Sequence, residues 1–131
     1  MNKEIIPFEE ALELKKLGYR GKTNTYYFKS DEVKAIRFAT EVGDTIDWNE
    51  PSLDEGQMLY DNYVAAPLYQ QAFRWFREKH NLIGWIEKYP LQNIYVLELP
   101  KCTFDESPFH KTYEDAELAC LKKLIEIVKN K

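Results

Sequence analysis

Hydrophobic positions fall at helical spacing in three stretches of the chain, while two pairs of shorter stretches are β-branched and aromatic. From Pro7 to about Leu17, Phe8, Ala11, Leu12, Leu14 and Leu17 form a broad apolar stripe interrupted by Lys15. Proline suits the first helical position, Glu9 and Glu10 suit the positive helix end, Lys15 and Lys16 the negative end, and Gly18 supplies the stop. A second helix is expected over Pro67 to about Lys79. Leu68, Tyr69, Ala72, Phe73, Trp75 and Phe76 share one side, and Gln70, Gln71, Arg74, Arg77 and Glu78 share the other. A third is expected over Tyr113 to about Lys129, where Thr112 and Asp115 have capping-box spacing. Its apolar arc (Ala116, Cys120, Leu121, Leu124, Ile125, Ile127, Val128) spans over half the circumference, so burial on more than one side is expected.

Thr23 to Lys29 and Val33 to Phe38 read as a hairpin turned through Ser30-Asp31. Leu82 to Tyr89 and Ile94 to Leu99 read as a second, turned through Pro90-Leu91-Gln92-Asn93. The order is helix, hairpin, connection, helix, hairpin, helix. It predicts one α+β domain over residues 1–131: a largely antiparallel sheet of about four strands, with three helices packed mostly on one face.

Charge sharpens the middle of this pattern. The chain carries 22 acids against 18 bases, a net −4, but Ala39 to Phe73 holds no lysine or arginine and seven acids. That window is Glu41, Asp44, Asp47, Glu50, Asp54, Glu55 and Asp61, so the remainder is net basic. Gly43, Pro51 and Gly56 punctuate it, and it reads as a long acidic connection at about 39–65 with a brief strand near Thr45 to Trp48. With 44% hydrophobic residues the chain is too apolar for disorder, yet no apolar run approaches the ~18–20 residues of a membrane helix. The stretch Met1 to Pro7 lacks the pattern of a signal peptide, and two cysteines, Cys102 and Cys120, make no disulfide framework. A reduced, cytoplasmic protein is expected.

Two strings, Ala66 to Lys79 (APLYQQAFRWFREK) and Tyr113 to Ile127 (YEDAELACLKKLIEI), together with Pro7-Phe8-Glu9-Glu10-Ala11, resemble segments of small proteins of prophages and other mobile elements of gut anaerobes. The resemblance covers the helices and not the acidic middle. It implies a phage-related, mobile-element context and carries over no activity and no site residues.

Chemistry-bearing residues are sparse. Cys102, His110 and Cys120 fall on three different segments, without the spacing of metal ligands, and His80 is farther away. Cys120 lies within an apolar stripe, where a cysteine behaves as a small hydrophobe, and His80 suits a helix C-terminus. Five glycines, none clustered, and no glycine-flanked serine offer neither a phosphate loop nor a nucleophile elbow. No cofactor and no catalytic activity are expected. Glu117 is the one unusual carboxylate, inside the apolar arc of its helix yet in the first turn, where the dipole favours an anion. If it did acid–base work, burial would raise its pKa.

Binding is the reading that remains, for an unidentified protein partner before nucleic acid. The polar side of the second helix (Gln70, Gln71, Arg74, Arg77) could grip phosphates or read base edges, and Lys15, Lys16, Arg20 and Lys22 form a second basic cluster. The ordinary explanation, a solvated helix face, stands beside this. In the acidic connection, Asp44, Asp47, Trp48, Asp54 and Glu55, with Tyr60 and Tyr63 nearby, would present aromatic anchors in an anionic surface. A third class is an aromatic-lined ligand pocket on an uncovered sheet face, drawing on Tyr26, Tyr27, Trp85, Tyr89 and Tyr95. The aromatic supply exceeds what the core stripes need, which leaves room for a homo-oligomer.

Overall fold

Pro7 and Gly18 bracket the first helix, α1 (Phe8–Lys16), as their chemistry dictates. Gly18 takes a left-handed φ of +99°, which lets Gly18 N–H reach Lys15 O (3.1 Å) and Tyr19 N–H reach Leu14 O (2.9 Å). This closes the helix end in the way glycine alone allows cheaply. The computed structural model describes residues 4–23, 25–29, 34–38, 49, 63–90, 92–99 and 103–130. They gather into two compact units, one of Ile5–Leu68 and one of Tyr69–Lys131 together with the N-terminal residues through Glu4.

In the first unit, β1 (Thr25–Lys29) pairs antiparallel with β2 (Lys34–Phe38) in the expected hairpin, from Thr25 opposite Phe38 to Lys29 opposite Lys34. The other edge of β1 takes β3 (Tyr63–Ala65), giving the order β2-β1-β3. Ile6, Ala11, Leu14, Tyr19, Val64 and Ala65 are buried. Side-chain bonds to backbone join the pieces: Lys15 Nζ to Tyr63 O (2.7 Å), Tyr27 Oη to Ile6 O (2.7 Å) and Thr23 Oγ1 to Thr25 O (2.7 Å). Asn49 is 7% exposed and spans two segments, donating from Nδ2 to Tyr19 O (2.8 Å) and accepting from Ala65 N–H (3.0 Å). Thus one polar residue of the acidic connection is tied into this unit. The strand expected near Thr45 to Trp48 lies outside the described residues.

The second unit begins with α2 (Tyr69–His80), whose first N–H is taken by Glu4 O (2.9 Å). Asn81, at φ +54°, ends it and lets Leu82 N–H reach Phe76 O (3.2 Å). Then come β4 (Ile83–Lys88), β5 (Asn93–Leu99), β6 (Thr103–Glu106) and α3 (Tyr113–Lys129). The strands form an antiparallel sheet in the order β4-β5-β6. Helix α3 packs against β4 and β5, and α2 against β4 and α3. The buried residues Ala116, Cys120, Leu121, Leu124 and Ile125 span about half of the α3 circumference at 3.6 residues per turn. Ile127 and Val128 are half-buried.

The fold is therefore α+β, with three helices among the described residues, but the expected single sheet of about four strands is corrected. Each hairpin gains a third strand within its own unit, making two sheets of three. The extra strands have weak local signals. β3 has only three residues, and β6 (Thr-Phe-Asp-Glu) is fully exposed and rich in acids that strands ordinarily avoid. Their pairing satisfies backbone groups of β1 and β5 that would otherwise need water.

Close approach of α3 to the sheet depends on Gly84. A Cβ there would lie 2.8 Å from Cys120 Sγ, 3.2 Å from Leu97 Cδ2 and 3.4 Å from Leu124 Cδ1. Gly84→Ala is expected to destabilise the protein by about 1–3 kcal/mol in chemical denaturation, and adding Cys120→Ala should recover part of that loss. Simple addition of the two single effects would disprove the steric coupling. Asn49→Ala, which removes the donor to Tyr19 O and the acceptor of Ala65 N–H, should cost about 1–3 kcal/mol in the same assay.

Candidate functional site

The β4–β5 turn is closed by Tyr89 N–H to Gln92 O (2.8 Å) and Gln92 N–H to Tyr89 O (3.3 Å). Asn93, expected in this turn, is instead the first residue of β5 and is 6% exposed. Its backbone exchanges two hydrogen bonds with His110, N–H to O at 2.9 Å and O from N–H at 2.7 Å. That pair fastens the chain leaving β6 to the start of β5. Lys111, Thr112 and the first turn of α3 follow at once, beside the turn.

An open cleft of about 490 Å3 lies between them. Lys88 and Lys111 are its cations, and Tyr89 and Tyr113, 46% and 44% exposed, are its rings. Among the described residues Glu114 is the one carboxylate lining it. Thr112 Oγ1 accepts from Asp115 N–H (3.0 Å), and Ala116 N–H to Thr112 O (3.2 Å) begins the helical ladder. The N–H groups of Tyr113 and Glu114, at the first two helical positions, therefore have no acceptor within the helix. They carry the positive end of a helix of 17 residues.

Asn93 lines the same cleft. Its Nδ2 donates to Lys111 O (3.4 Å), which orients the amide and leaves Oδ1 buried with no partner among the described residues. His110 Nε2 is in the same state, and its ring stacks on Tyr95 at 6.3 Å. A buried acceptor left unpaired costs about 1–3 kcal/mol. Tyr89 Oη donates to Glu87 Oε2 (3.1 Å), fixing that ring and raising its pKa, first through the hydrogen bond and then through the carboxylate charge.

The residues singled out in the sequence are distributed differently. Gln70, Gln71, Arg74 and Arg77 are all exposed on α2, as expected, but none lines the cleft, and Arg74 Nε is held by Glu78 Oε1 at 3.2 Å. Asp44, Asp47, Trp48, Asp54 and Glu55 lie outside the described residues. The basic cluster of the first unit is partly spent, since Lys15 is half-buried on Tyr63 O and Lys16 faces Glu13 at 3.9 Å. The strand rings have separate neighbours within each unit. Tyr26 packs on Tyr63 and Tyr27 on Phe8, while Trp85 Nε1 donates to Glu87 (3.4 Å) and Tyr95 faces His110. Of these rings only Tyr89 lines the cleft. Lys88, Asn93, Lys111 and Tyr113 were missed. The one local hint was a lysine immediately before the capping Thr112.

Cys120 is buried, and its thiol is pushed up to about 12 by that burial and then by Glu117, so it carries almost no thiolate near neutrality. Among the described residues no three His, Cys, Asp or Glu side chains gather as a metal-binding cluster, and no helix is long and apolar enough to cross a membrane. No protein-family model, no curated protein and no solved structure matches the chain.

Glu117 is half-buried, and its carboxyl is raised to about 7, first by burial and then by the charges of Glu114 and Glu4. The fold disfavours its ionised form, so its contribution to stability is greatest below pH 4.5 and is lost as pH rises through about 7. Glu117→Gln should therefore equal the wild type near pH 4.5 and exceed it at pH 8 by about 1 kcal/mol, the effect being reduced by the solvent that reaches the carboxylate. Denaturation midpoints at the two pH values check this. A wild-type Glu117 carboxyl titrating by NMR in the ordinary glutamate range would refute it.

Proposed function

We propose that the protein is a non-catalytic binding module, cytoplasmic and of mobile-element type, that holds a macromolecular partner in the cleft between the β4–β5 turn and the start of α3. The observation behind this reading is convergence. Two lysines, two partly exposed tyrosines, Asn93 and the first residues of α3 line a single open cleft. Such a set recognises a partner by hydrogen bonding and charge around aromatic anchors. The cleft is open rather than enclosing, which suits a segment of a larger molecule. Phe104 and Phe109, 60% and 63% exposed, leave self-association within the same reading.

A second reading, nucleic-acid binding on the polar side of α2, draws on the exposure of Gln70, Gln71 and Arg77. A photo-crosslinking side chain placed at Gln92, in the cleft, or at Gln70, on α2, separates the two. Cleft binding predicts macromolecular adducts from Gln92 in lysate and few from Gln70. The reverse pattern transfers the function to α2, and adducts from neither position overturn both readings.

A further inference from the structure

We propose that the outer edge of β6, a surface separate from the cleft, takes up an extended basic segment of another protein, which adds to the sheet as a further strand. The second sheet ends at β6, whose residues Thr103–Glu106 are all exposed. In an antiparallel pair, successive residues alternate between bonding to the neighbour and facing away from it. Ser107 N–H to Tyr95 O (3.1 Å) sets that alternation here. On the register that pairs Leu97 with Asp105, the backbone groups of Thr103 and Asp105 turn towards β5, and those of Phe104 and Glu106 turn outward. The N–H and C=O groups of Phe104 and Glu106 therefore stand along an open edge, spaced to receive one more strand.

Side chains decide which strand fits. Charge on an edge strand guards it against pairing, yet this edge also carries Phe104, 60% exposed, which protection by charge does not require. Phe104 and Glu106 share a face with their register partners Glu98 and Val96, while Asp105 shares the α3 face with Leu97. On that α3 face, Asp105 and Glu126 both lie within electrostatic reach of the Tyr95 hydroxyl, and Lys123 faces Glu126 at 3.6 Å. On the other, Glu87 and Glu106 both lie within reach of Tyr89 Oη. Strands β5 and β6 hold Glu98, Asp105 and Glu106 and no lysine or arginine. A strand laid antiparallel along this edge sets consecutive residues opposite Glu106, Asp105 and Phe104. Favourable cross-strand pairs form when those residues read basic, basic, apolar. A second copy of β6 fits worse. Two-fold pairing centred on Glu106 or Asp105 sets like carboxylates directly opposite, and pairing centred on Phe104 engages only Thr103 to Asp105 of the described strand.

The test is amide NMR on the full chain, titrated with the capped peptide Thr-Arg-Lys-Ile-Thr, which sets its Arg opposite Glu106, its Lys opposite Asp105 and its Ile opposite Phe104. The backbone amides of Phe104 and Glu106 are expected to shift and to gain protection from hydrogen exchange, with no shifts in the cleft. In this register the peptide's Arg and Ile N–H groups point at β6 and its Lys N–H points away. N-methylation at Arg or Ile should therefore weaken binding by about tenfold or more, and N-methylation at Lys should leave it nearly unchanged. The acidic peptide Thr-Glu-Asp-Ile-Thr should bind more weakly by about tenfold or more, and Asp105→Lys with Glu106→Lys should reverse that preference without changing the thermal midpoint. Equal losses at all three methylated positions, equal affinity for the acidic peptide, or no response to either peptide overturns the proposal. Shifts confined to Tyr113 and Glu114 would place the peptide in the cleft and overturn the edge assignment. A concentration-dependent dimer abolished by Phe104→Lys would assign the edge to a second copy and overturn it too.

Discussion

Two backbone hydrogen bonds between Asn93 and His110 hold the candidate site together. Together with Ser107 N–H to Tyr95 O (3.1 Å) and Tyr95 N–H to Ser107 Oγ (2.9 Å), they fasten the chain leaving β6 along β5. With them, Lys111 and the start of α3 are set beside the β4–β5 turn, where Lys88 and Tyr89 already stand. The pair also explains why Asn93 is buried. Its backbone is spent in the bridge and its side chain is turned under Lys111 O, so the remaining amide oxygen is stranded. The order of the cleft and the burial of Asn93 have one origin.

The other constraint in that unit is steric. Gly84 lets α3 sit close enough for Cys120, Leu97 and Leu124 to fill the space a side chain would occupy. Burial at this contact makes Cys120 an inert packing residue and not a reactive thiol. It also draws Glu117, one turn earlier on the buried side of the helix, away from water and towards Glu114 and Glu4. The unusual carboxyl is thus a consequence of how the helix is seated, and it lies outside the set of side chains that line the cleft.

Much of the local structure was legible in the chain. Gly18 ends α1 in the left-handed conformation its position implied, Thr112 caps α3 through Asp115 N–H, and both hairpins have their expected strands. The polar side of α2 is exposed as its spacing required. These are short-range signals, in which a residue and its neighbours within about one turn or one hairpin decide the outcome. The site was not legible. Lys15 looked like one of a cluster of free cations, yet its ammonium is taken by Tyr63 O, 48 positions away along the chain. Asn93 looked like a turn residue, yet a partner 17 positions on draws it into a strand.

The sequence alone determined the three helices, the two hairpins, the helix ends and the uneven distribution of charge, because each follows from side-chain periodicity, capping chemistry or composition. Only the tertiary structure decided that the strands form two sheets of three, that Asn49 spans Tyr19 and Ala65, and that Lys88, Asn93, Lys111 and Tyr113 share one cleft. Those outcomes depend on backbone groups finding partners far along the chain. Such pairings leave no periodic trace in the residues that make them. Here β3 and β6 are short or acidic, and the bridge that builds the cleft runs through main-chain atoms that every residue shares.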